Sequence, residues 1–251
     1  MENLLRQKMI EDCPRIATLL ESVERNRIDR LSIYGSGATL RGIDEALRYL
    51  IEAESDFEKN AELRPLKQLV ARAVAELETA VYAFICGFHA VLFDSMRAAM
   101  EVEFLLRDFL LWPPHLSEWF DLPARERYKK FKPAKLRERY RKWSEEPSTG
   151  SQESKDYSMH SEHLHVNPTE SHIDHSGLND VNEPGQLRVC LAEITSHTGK
   201  LIILVHRHMN GLPMDVQLTK ETAPTLPLFD DAWSRSRMGV AMWLPSSSAS
   251  S

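Results

Sequence analysis

The stretch PLKQLVARAVAELETAVYAFICGFHAVLFDSMRAAMEVEFLLRDFLL (residues 65–111) decides the fold class. Apolar side chains recur in its first half at intervals of three and four residues, at Leu66, Leu69, Val70, Ala73, Val74 and Leu77. This is the period of an amphipathic helix. Pro65 suits the first turn of a helix, whereas Gly87 would cost about 1 kcal/mol inside one and so indicates a turn. The Pro-Pro step at 113–114 ends the second helix. The sequence therefore predicts two long helices joined at Gly87.

Outward from this hairpin, the rest of the chain also has helical periodicity. The 251 residues include few glycines, which argues against a turn-dense β architecture. We predict an all-α fold: a bundle of long antiparallel helices over residues 43–210, with an N-terminal helical extension at 1–42. The C-terminal part, 211–251, is expected to be an irregular tail, extended and partly disordered.

The cysteines and the apolar runs bear on location. Cys13, Cys86 and Cys190 are far apart and odd in number, so no disulfide framework follows, and a reducing compartment fits best. The N-terminal residues lack the apolar core of a signal peptide. The most apolar run, Ala80–Phe93, is shorter than the roughly 20 residues that span a bilayer. A cytoplasmic protein without a membrane partner is expected.

The helix predicted after Gly87 carries charged pairs among apolar neighbours. Arg97 and Glu101 are four residues apart and share one helix face. Because an unpaired buried charge costs several kcal/mol, the pair is either a structural ion pair between helices or an arginine held by Glu101 and directed at an anion. Glu103 and Arg107 have the same spacing and are predicted to form a surface pair.

A polar stripe lies in YSMHSEHLHVNP (residues 157–168). Tyr157, Ser161 and His165 are four residues apart, so on a helix they would share a face that ends at Pro168. Two hydroxyls and an imidazole place a titratable base beside two hydrogen-bonding groups. These residues are candidates for a catalytic site, and we expect His165 to approach Arg97 across a helix–helix contact.

Residues 124–142 form a basic block with ten Lys or Arg side chains against Glu126 and Glu138, a local charge of +8 in a chain of net charge −6. Aromatic residues alternate with the cations, so the block could neutralise phosphates and stack bases. It could equally be the solvated surface of two short helices separated by Pro133. The candidate nucleic-acid contacts are Arg125, Arg127, Lys129, Lys130, Lys132 and Lys135.

Five histidines cluster nearby, at His160, His163, His165, His172 and His175. Two of the spacings suit metal ligation, but on a helix His160 and His165 point apart, and the last two lie in a loop-like segment. We therefore expect an exposed polar segment with no metal or other cofactor. A metal-dependent hydrolase remains a third functional alternative.

Arg97-x3-Glu101 together with Tyr157-x3-Ser161-Glu162-x2-His165-x2-Pro168 resembles helical bacterial proteins related to the HEPN superfamily (higher eukaryotes and prokaryotes nucleotide-binding). The variable segment of that group has counterparts here in Trp119, Arg125, Arg127 and Phe131-Lys132-Pro133. The likeness covers about residues 65–170. It implies an α-helical bundle, often dimeric, and in many members a metal-independent endoribonuclease that acts in defence or stress.

The resemblance also implies roles. His165 would be the general base or acid, Arg97 would stabilise the transition-state charge, and Glu101 would orient Arg97. The chain departs from the family's catalytic Arg-x4-His signature, to which Lys155-x4-His160 comes nearest. Activity would therefore require Arg97, from another helix, beside His165. The leading hypothesis is a protein that acts on or binds RNA or nucleotides, and the alternative is a non-catalytic helical interaction or dimerisation module.

The helix Ala90–Leu111 is apolar over more than one face. Such a helix must be buried on several sides. It is either the centre of the bundle or part of a homodimer interface.

Overall fold

The structure is a computed structural model that describes residues 8–144, 157, 184–219 and 221–235. Its helices are α1 (Pro14–Tyr34), α2 (Ala38–Lys59), α3 (Arg64–Cys86), α4 (His89–Leu111), α5 (Pro114–Asp121), α6 (Ala124–Phe131), α7 (Pro133–Ser144), α8 (Pro184–Asn210) and α9 (Pro227–Arg235). Turns and irregular segments connect them, with no strand in the described residues. The all-α prediction is confirmed.

Proline begins many of these helices. It is the first residue of α1, α5, α7, α8 and α9, and in α3 it is the second. The ring fixes φ near the helical value, and the missing N–H is one that the first turn leaves without an intrahelical partner. Pro133 accordingly divides the basic block into α6 and α7, as predicted.

The turn between α3 and α4 is at Gly87, as the sequence predicts. Gly87 has φ of 91°, a left-handed conformation that favours glycine, and its N–H donates to the carbonyl of Ala83. A Cβ at Gly87 would lie 2.5 Å from Nδ2 of Asn26 on α1. That amide donates to the carbonyl of Cys86 at 3.4 Å, and buried Arg30 of α1 donates to the carbonyl of Phe84. Two side chains of α1 therefore satisfy carbonyls at the end of α3.

Helix α4 is at the centre of the bundle. It packs against α3, α8, α7 and α5, and it buries apolar side chains around most of its circumference, including Leu92, Met96, Met100, Phe104 and Leu106. Contacts within the chain thus account for the apolar faces that had raised a dimer interface as one explanation.

The C-terminal part differs from its prediction. Residues 227–235 form α9, which packs on α2 and α8, rather than part of an extended tail. The Glu45 carboxylate accepts hydrogen bonds from the N–H groups of Leu228 and Phe229, so an acidic side chain of α2 caps the first turn of α9. Gly199 on α8 lets α9 approach, because a Cβ there would lie 1.7 Å from the Trp233 ring. The sequence pattern missed this helix because it has only nine residues and its cap is distant in sequence.

The predicted boundary between the extension and the bundle also moves. Helix α2 begins at Ala38, so residue 42 lies inside it, and the turn between α1 and α2 is confined to residues 35–37. Gly42 is itself buried against α9: a Cβ at this position would lie 2.6 Å from the Cβ of Ala232. Residues 236–251 of the predicted tail, 211–251, lie outside the described residues.

Candidate functional site

Helix α4 presents Arg97 and Glu101 at the bundle surface, where about a third of each side chain is exposed (30% and 32%). Tyr157 lies across them. Nε of Arg97 donates to the Tyr157 hydroxyl at 3.2 Å, and that hydroxyl donates to Oε1 of Glu101 at 3.1 Å. The Arg97–Glu101 distance is 3.7 Å. The three side chains form a closed set of contacts, which we call the Arg97 triad.

The surroundings of Arg97 and Tyr157 each favour one protonation state. The hydrogen bond that Arg97 donates to the Tyr157 hydroxyl raises the pKa of Arg97, although burial opposes the rise. Burial raises the pKa of Tyr157, and the nearby Glu101 carboxylate adds to the rise. Tyr157 therefore remains a neutral hydrogen-bond donor near neutral pH, and Arg97 remains a cation whose direction is fixed by two partners.

The structure brings together three of the five residues predicted for a catalytic site. Ser161 and His165 lie outside the described residues, and so does the His160–His175 cluster. The expected approach of His165 to Arg97 stays a prediction. The predicted pairing of Glu101 with Arg97 is observed.

A row of cations and aromatic rings continues from the Arg97 triad between α4 and α7. The guanidinium of Arg137 lies 4.2 Å from the centre of the Tyr157 ring, on which Arg97 also lies at 5.4 Å. Farther along, the guanidinium of Arg107 lies 3.6 Å from the Tyr140 ring centre. Tyr140 in turn stacks on Trp143, with ring centres 5.8 Å apart and planes 27° apart. A guanidinium and the face of an aromatic ring attract each other electrostatically, so these contacts hold the row together. The Trp143 side chain at its end stays 41% exposed.

Fewer cations of the basic block are available to bind nucleic acid than its charge suggests. Arg139 is turned inward: its Nε donates to Oδ1 of buried Asp108 at 2.7 Å, and Asp108 also accepts from His115 at 2.7 Å. Lys130 is paired with Glu118, and both Lys135 and Lys142 are paired with Glu138. These contacts fasten α5, α6 and α7 to one another and to α4.

The six predicted nucleic-acid contacts thus divide into two groups. Lys130 and Lys135 have carboxylate partners, and Arg127 lies over the Trp119 ring at 5.5 Å. Arg125, Lys129 and Lys132 have no ion pair among the described residues, and the first two are exposed. The usable positive charge of the block lies mainly on α6.

A second polar cluster lies inside the bundle, and sequence reasoning missed it. Glu103 of α4 and Glu193 and His197 of α8 are 4%, 4% and 1% exposed. Nδ1 of His197 lies 2.6 Å from Glu103, and Nε2 lies 3.5 Å from Glu193. The prediction that Glu103 forms a surface pair with Arg107 is wrong. The available signal was Glu193-x3-His197, a polar pair at helical spacing inside the apolar stripe of α8.

Burial lowers the pKa of His197, but the charge of Glu103 and hydrogen bonds to both carboxylates outweigh it, so the pKa is raised. The raised pKa favours the protonated imidazole, which has a carboxylate beside each ring nitrogen. These two partners lie on opposite sides of the ring and do not converge on a point between them. In the described part of the chain, no three His, Cys, Asp or Glu side chains are placed to hold a metal ion.

Comparisons with protein-family models, curated proteins and solved structures found no match to this chain. The resemblance to HEPN proteins stays a prediction from the Arg97, Glu101, Tyr157, Ser161 and His165 pattern. Across the described helices, none combines the length and the apolar character that a bilayer crossing requires.

Proposed function

We propose that this chain is a HEPN-like cytoplasmic protein that binds RNA or nucleotides at the Arg97 triad and the adjoining cation–aromatic row, in defence or stress. The observation that carries the proposal is the closed set of contacts among Arg97, Glu101 and Tyr157 at a partly exposed surface. A guanidinium fixed by two partners and left partly exposed is suited to a phosphate, whose oxygens it can meet in a fork geometry.

The cation–aromatic row favours a polynucleotide over an isolated anion. Guanidinium planes and aromatic rings both stack on bases, and the exposed Trp143 ring provides one such face. The cations of α6 and its end that lack an ion pair among the described residues, Arg125, Lys129 and Lys132, then neutralise the flanking phosphates. The surface thus combines one phosphate contact fixed in direction with stacking and diffuse positive charge.

As a metal-independent endoribonuclease, the site acts once His165 joins it. His165 removes the proton of a ribose 2′-hydroxyl, the 2′-oxygen attacks the adjacent phosphorus, and the bond from phosphorus to the 5′-oxygen breaks. The protonated His165 then gives its proton to that oxygen, so the histidine returns to its starting state. Arg97 neutralises the charge that develops on the phosphoryl oxygens, and Glu101 and Tyr157 hold Arg97 in place.

The first experiment is overexpression of the wild type, Arg97→Ala and His165→Ala, with growth and bulk RNA integrity followed over time. The matched control is Arg72→Ala, because Arg72 forms an i,i+4 pair with Glu76 on α3. The proposal expects growth arrest and RNA loss for the wild type and the control, and neither for the two site variants. Intact RNA and normal growth in all four would favour the non-catalytic module.

The second experiment measures binding of single-stranded RNA at several salt concentrations. Changing Arg125, Lys129 and Lys132 to Glu should weaken binding and flatten the dependence of log affinity on log salt by about 0.7 for each phosphate that is no longer neutralised. Lys130 is left unchanged because it pairs with Glu118. A control triple change of Lys59, Lys67 and Arg72, on α2 and α3, should leave the slope as it is. If the wild type binds no RNA at low salt, the proposal that this surface binds nucleic acid is refuted.

The interaction-module alternative is favoured by one observation, the surface of α1. Asn26 and Arg30 of α1 pack on α3, and the same helix continues toward the N-terminus with Ile16, Leu19 and Leu20. Ile16 is 53% exposed and Leu20 is 47% exposed. An apolar face that runs beyond its packing partner is typical of an interface.

We propose that a second copy of this chain covers that face, giving a homodimer. Isologous pairing uses the same patch on both subunits, and the mixed charges beside the stripe, such as Arg15 and Glu24, allow an antiparallel arrangement of two α1 helices. Sedimentation at micromolar concentration tests this. Changing Leu19 and Leu20 to Glu should give a monomer near 28.8 kDa, whereas Ile51→Glu, an equally exposed apolar site on α2, should not. A wild type that sediments as a monomer refutes the dimer.

A further inference from the structure

A cavity of about 280 Å³ lies at the end of the bundle away from the α3–α4 turn. The first turn of α3, the end of α4, α5 and the end of α8 line this open cavity, and its walls are mainly apolar, with Leu63, Leu66, Leu110 and Leu116 among them. A larger recess of about 620 Å³ between α3 and α5 shares Leu116 with it and opens toward solvent. A mostly apolar cavity with few polar groups is the usual form of a small-molecule site.

The charged side chain in the lining is Arg207 of α8, which is 7% exposed. Its two terminal nitrogens donate to the carbonyls of Pro213 and Val216, which fixes the guanidinium. Its Nε has no hydrogen-bond partner among the described residues. Burial lowers the pKa of Arg207 and the charge of Asp215 opposes this, but Asp215 forms no ion pair with it in the described structure. Arg207 is therefore a buried cation whose direct partners are neutral carbonyls.

His208, also in the lining, does not add charge. Its ring bonds the carbonyl of Leu106 at 2.9 Å through Nε2, so that nitrogen is the donor. Burial lowers the pKa of His208 to about 4, which leaves it neutral near pH 7. The positive charge at the cavity is thus that of Arg207 alone among the lining residues.

A buried arginine without a carboxylate is costly to desolvate, and an anion in the cavity would remove that cost. The leucine walls require that the rest of the ligand be apolar. We propose that this cavity binds a small amphipathic anion, an apolar body against the leucines with a carboxylate directed at Arg207. This site is separate from the Arg97 triad and does not depend on the proposed action on RNA.

The test uses the full chain with octanoate as probe and octanol as the matched neutral compound, in titration calorimetry. Octanoate should bind saturably with one molecule per chain and at least about tenfold more tightly than octanol, since charge-assisted hydrogen bonds are about twice as strong as neutral ones. Arg207→Met should reduce octanoate to the affinity of octanol. Arg48→Met, a surface arginine paired with Asp44, should change neither.

A second variant keeps the test decisive if Arg207→Met loosens the segment after α8. Leu116→Trp fills the cavity with Arg207 intact and should abolish binding of both compounds. The proposal is overturned if octanoate shows no saturable binding at millimolar concentration, or if octanol binds wild type as tightly as octanoate does. It is also overturned if folded Arg207→Met or Leu116→Trp binds octanoate with wild-type affinity.

Discussion

Two polar clusters share helix α4 and differ in what surrounds them. The charged side chains of the Arg97 triad are about one-third exposed, and water can screen their charges. The cluster of Glu103, Glu193 and His197 begins two residues farther along and is almost fully buried. Two residues correspond to more than half a turn, which is enough to move a carboxylate from the surface to the interface with α8. The comparison shows that the partner helix, rather than the charged pair itself, decides which group is buried.

The largest expected effect is on the buried cluster. Glu103→Ala should lower the free energy of unfolding by about 3–5 kcal/mol, because it removes the nearer of the two carboxylates that pair with buried His197. Glu101→Ala, the same change in the more exposed Arg97 triad, should lower the free energy of unfolding by about 1 kcal/mol or less. Urea unfolding of both variants measures the difference. Equal costs would mean that burial does not separate the two clusters.

A complementary change tests whether the buried cluster stabilises the fold at all. Replacing Glu103, Glu193 and His197 together with Leu should leave the protein as stable as wild type or up to about 4 kcal/mol more stable, since no charge is then desolvated. Urea unfolding again provides the measurement. A triple variant less stable than Glu103→Ala would show that the charges hold α4 and α8 in register.

The pH dependence of stability follows from the raised pKa of His197. The groups that face it are Glu103 on α4 and Glu193 and Lys200 on α8. A pKa raised in the folded state gives stability that is fully present below about pH 6.5, the unfolded value, and that is lost as pH rises through the folded pKa. The wild type should therefore lose stability relative to the triple Leu variant from about pH 6.5 upward. A difference that stays flat or grows with pH would contradict this.

The smallest effect is expected at the Arg97 triad. Tyr157→Phe removes the hydroxyl that bonds Arg97 and Glu101 but keeps the ring against Arg97 and Arg137. The free energy of unfolding should fall by about 0.5–1.5 kcal/mol, the net value of a typical hydrogen bond. Thermal unfolding checks the value. A decrease as large as that of Glu103→Ala would place this cluster among the main determinants of stability.

Much of the architecture could be predicted from sequence because it depends on local chemistry. The Leu66–Leu77 periodicity, the turn at Gly87 and the break at Pro133 each act within a few residues, and each is observed. Helix α9 was not foreseen because its capping group, Glu45, is distant in sequence, and its packing requires two glycines on other helices. Contacts of this kind leave no periodic signal.

The candidate site, too, could be predicted from the sequence only in part. The pairing of Arg97 with Glu101 follows from helical spacing, and the addition of Tyr157 agrees with the stripe that contains it. The burial of Glu103 could not be predicted, because i,i+4 spacing to Arg107 gives the same pattern whether or not His197 faces it. The inward turn of Arg139 toward Asp108 was hidden for the same reason within a uniformly basic segment.

The close packing of Trp233 against Gly199 has a consequence for folding during synthesis. Helix α9 is translated after every other described helix, yet it packs on α2, one of the first to leave the ribosome. Until residue 233 emerges, the indole-sized recess at Gly199 is open, and the apolar side of α2 that α9 covers is in contact with water. A nascent chain that stalls before residue 227 would therefore leave this apolar groove uncovered, and exposed apolar surface of that kind makes an incompletely folded chain prone to aggregation.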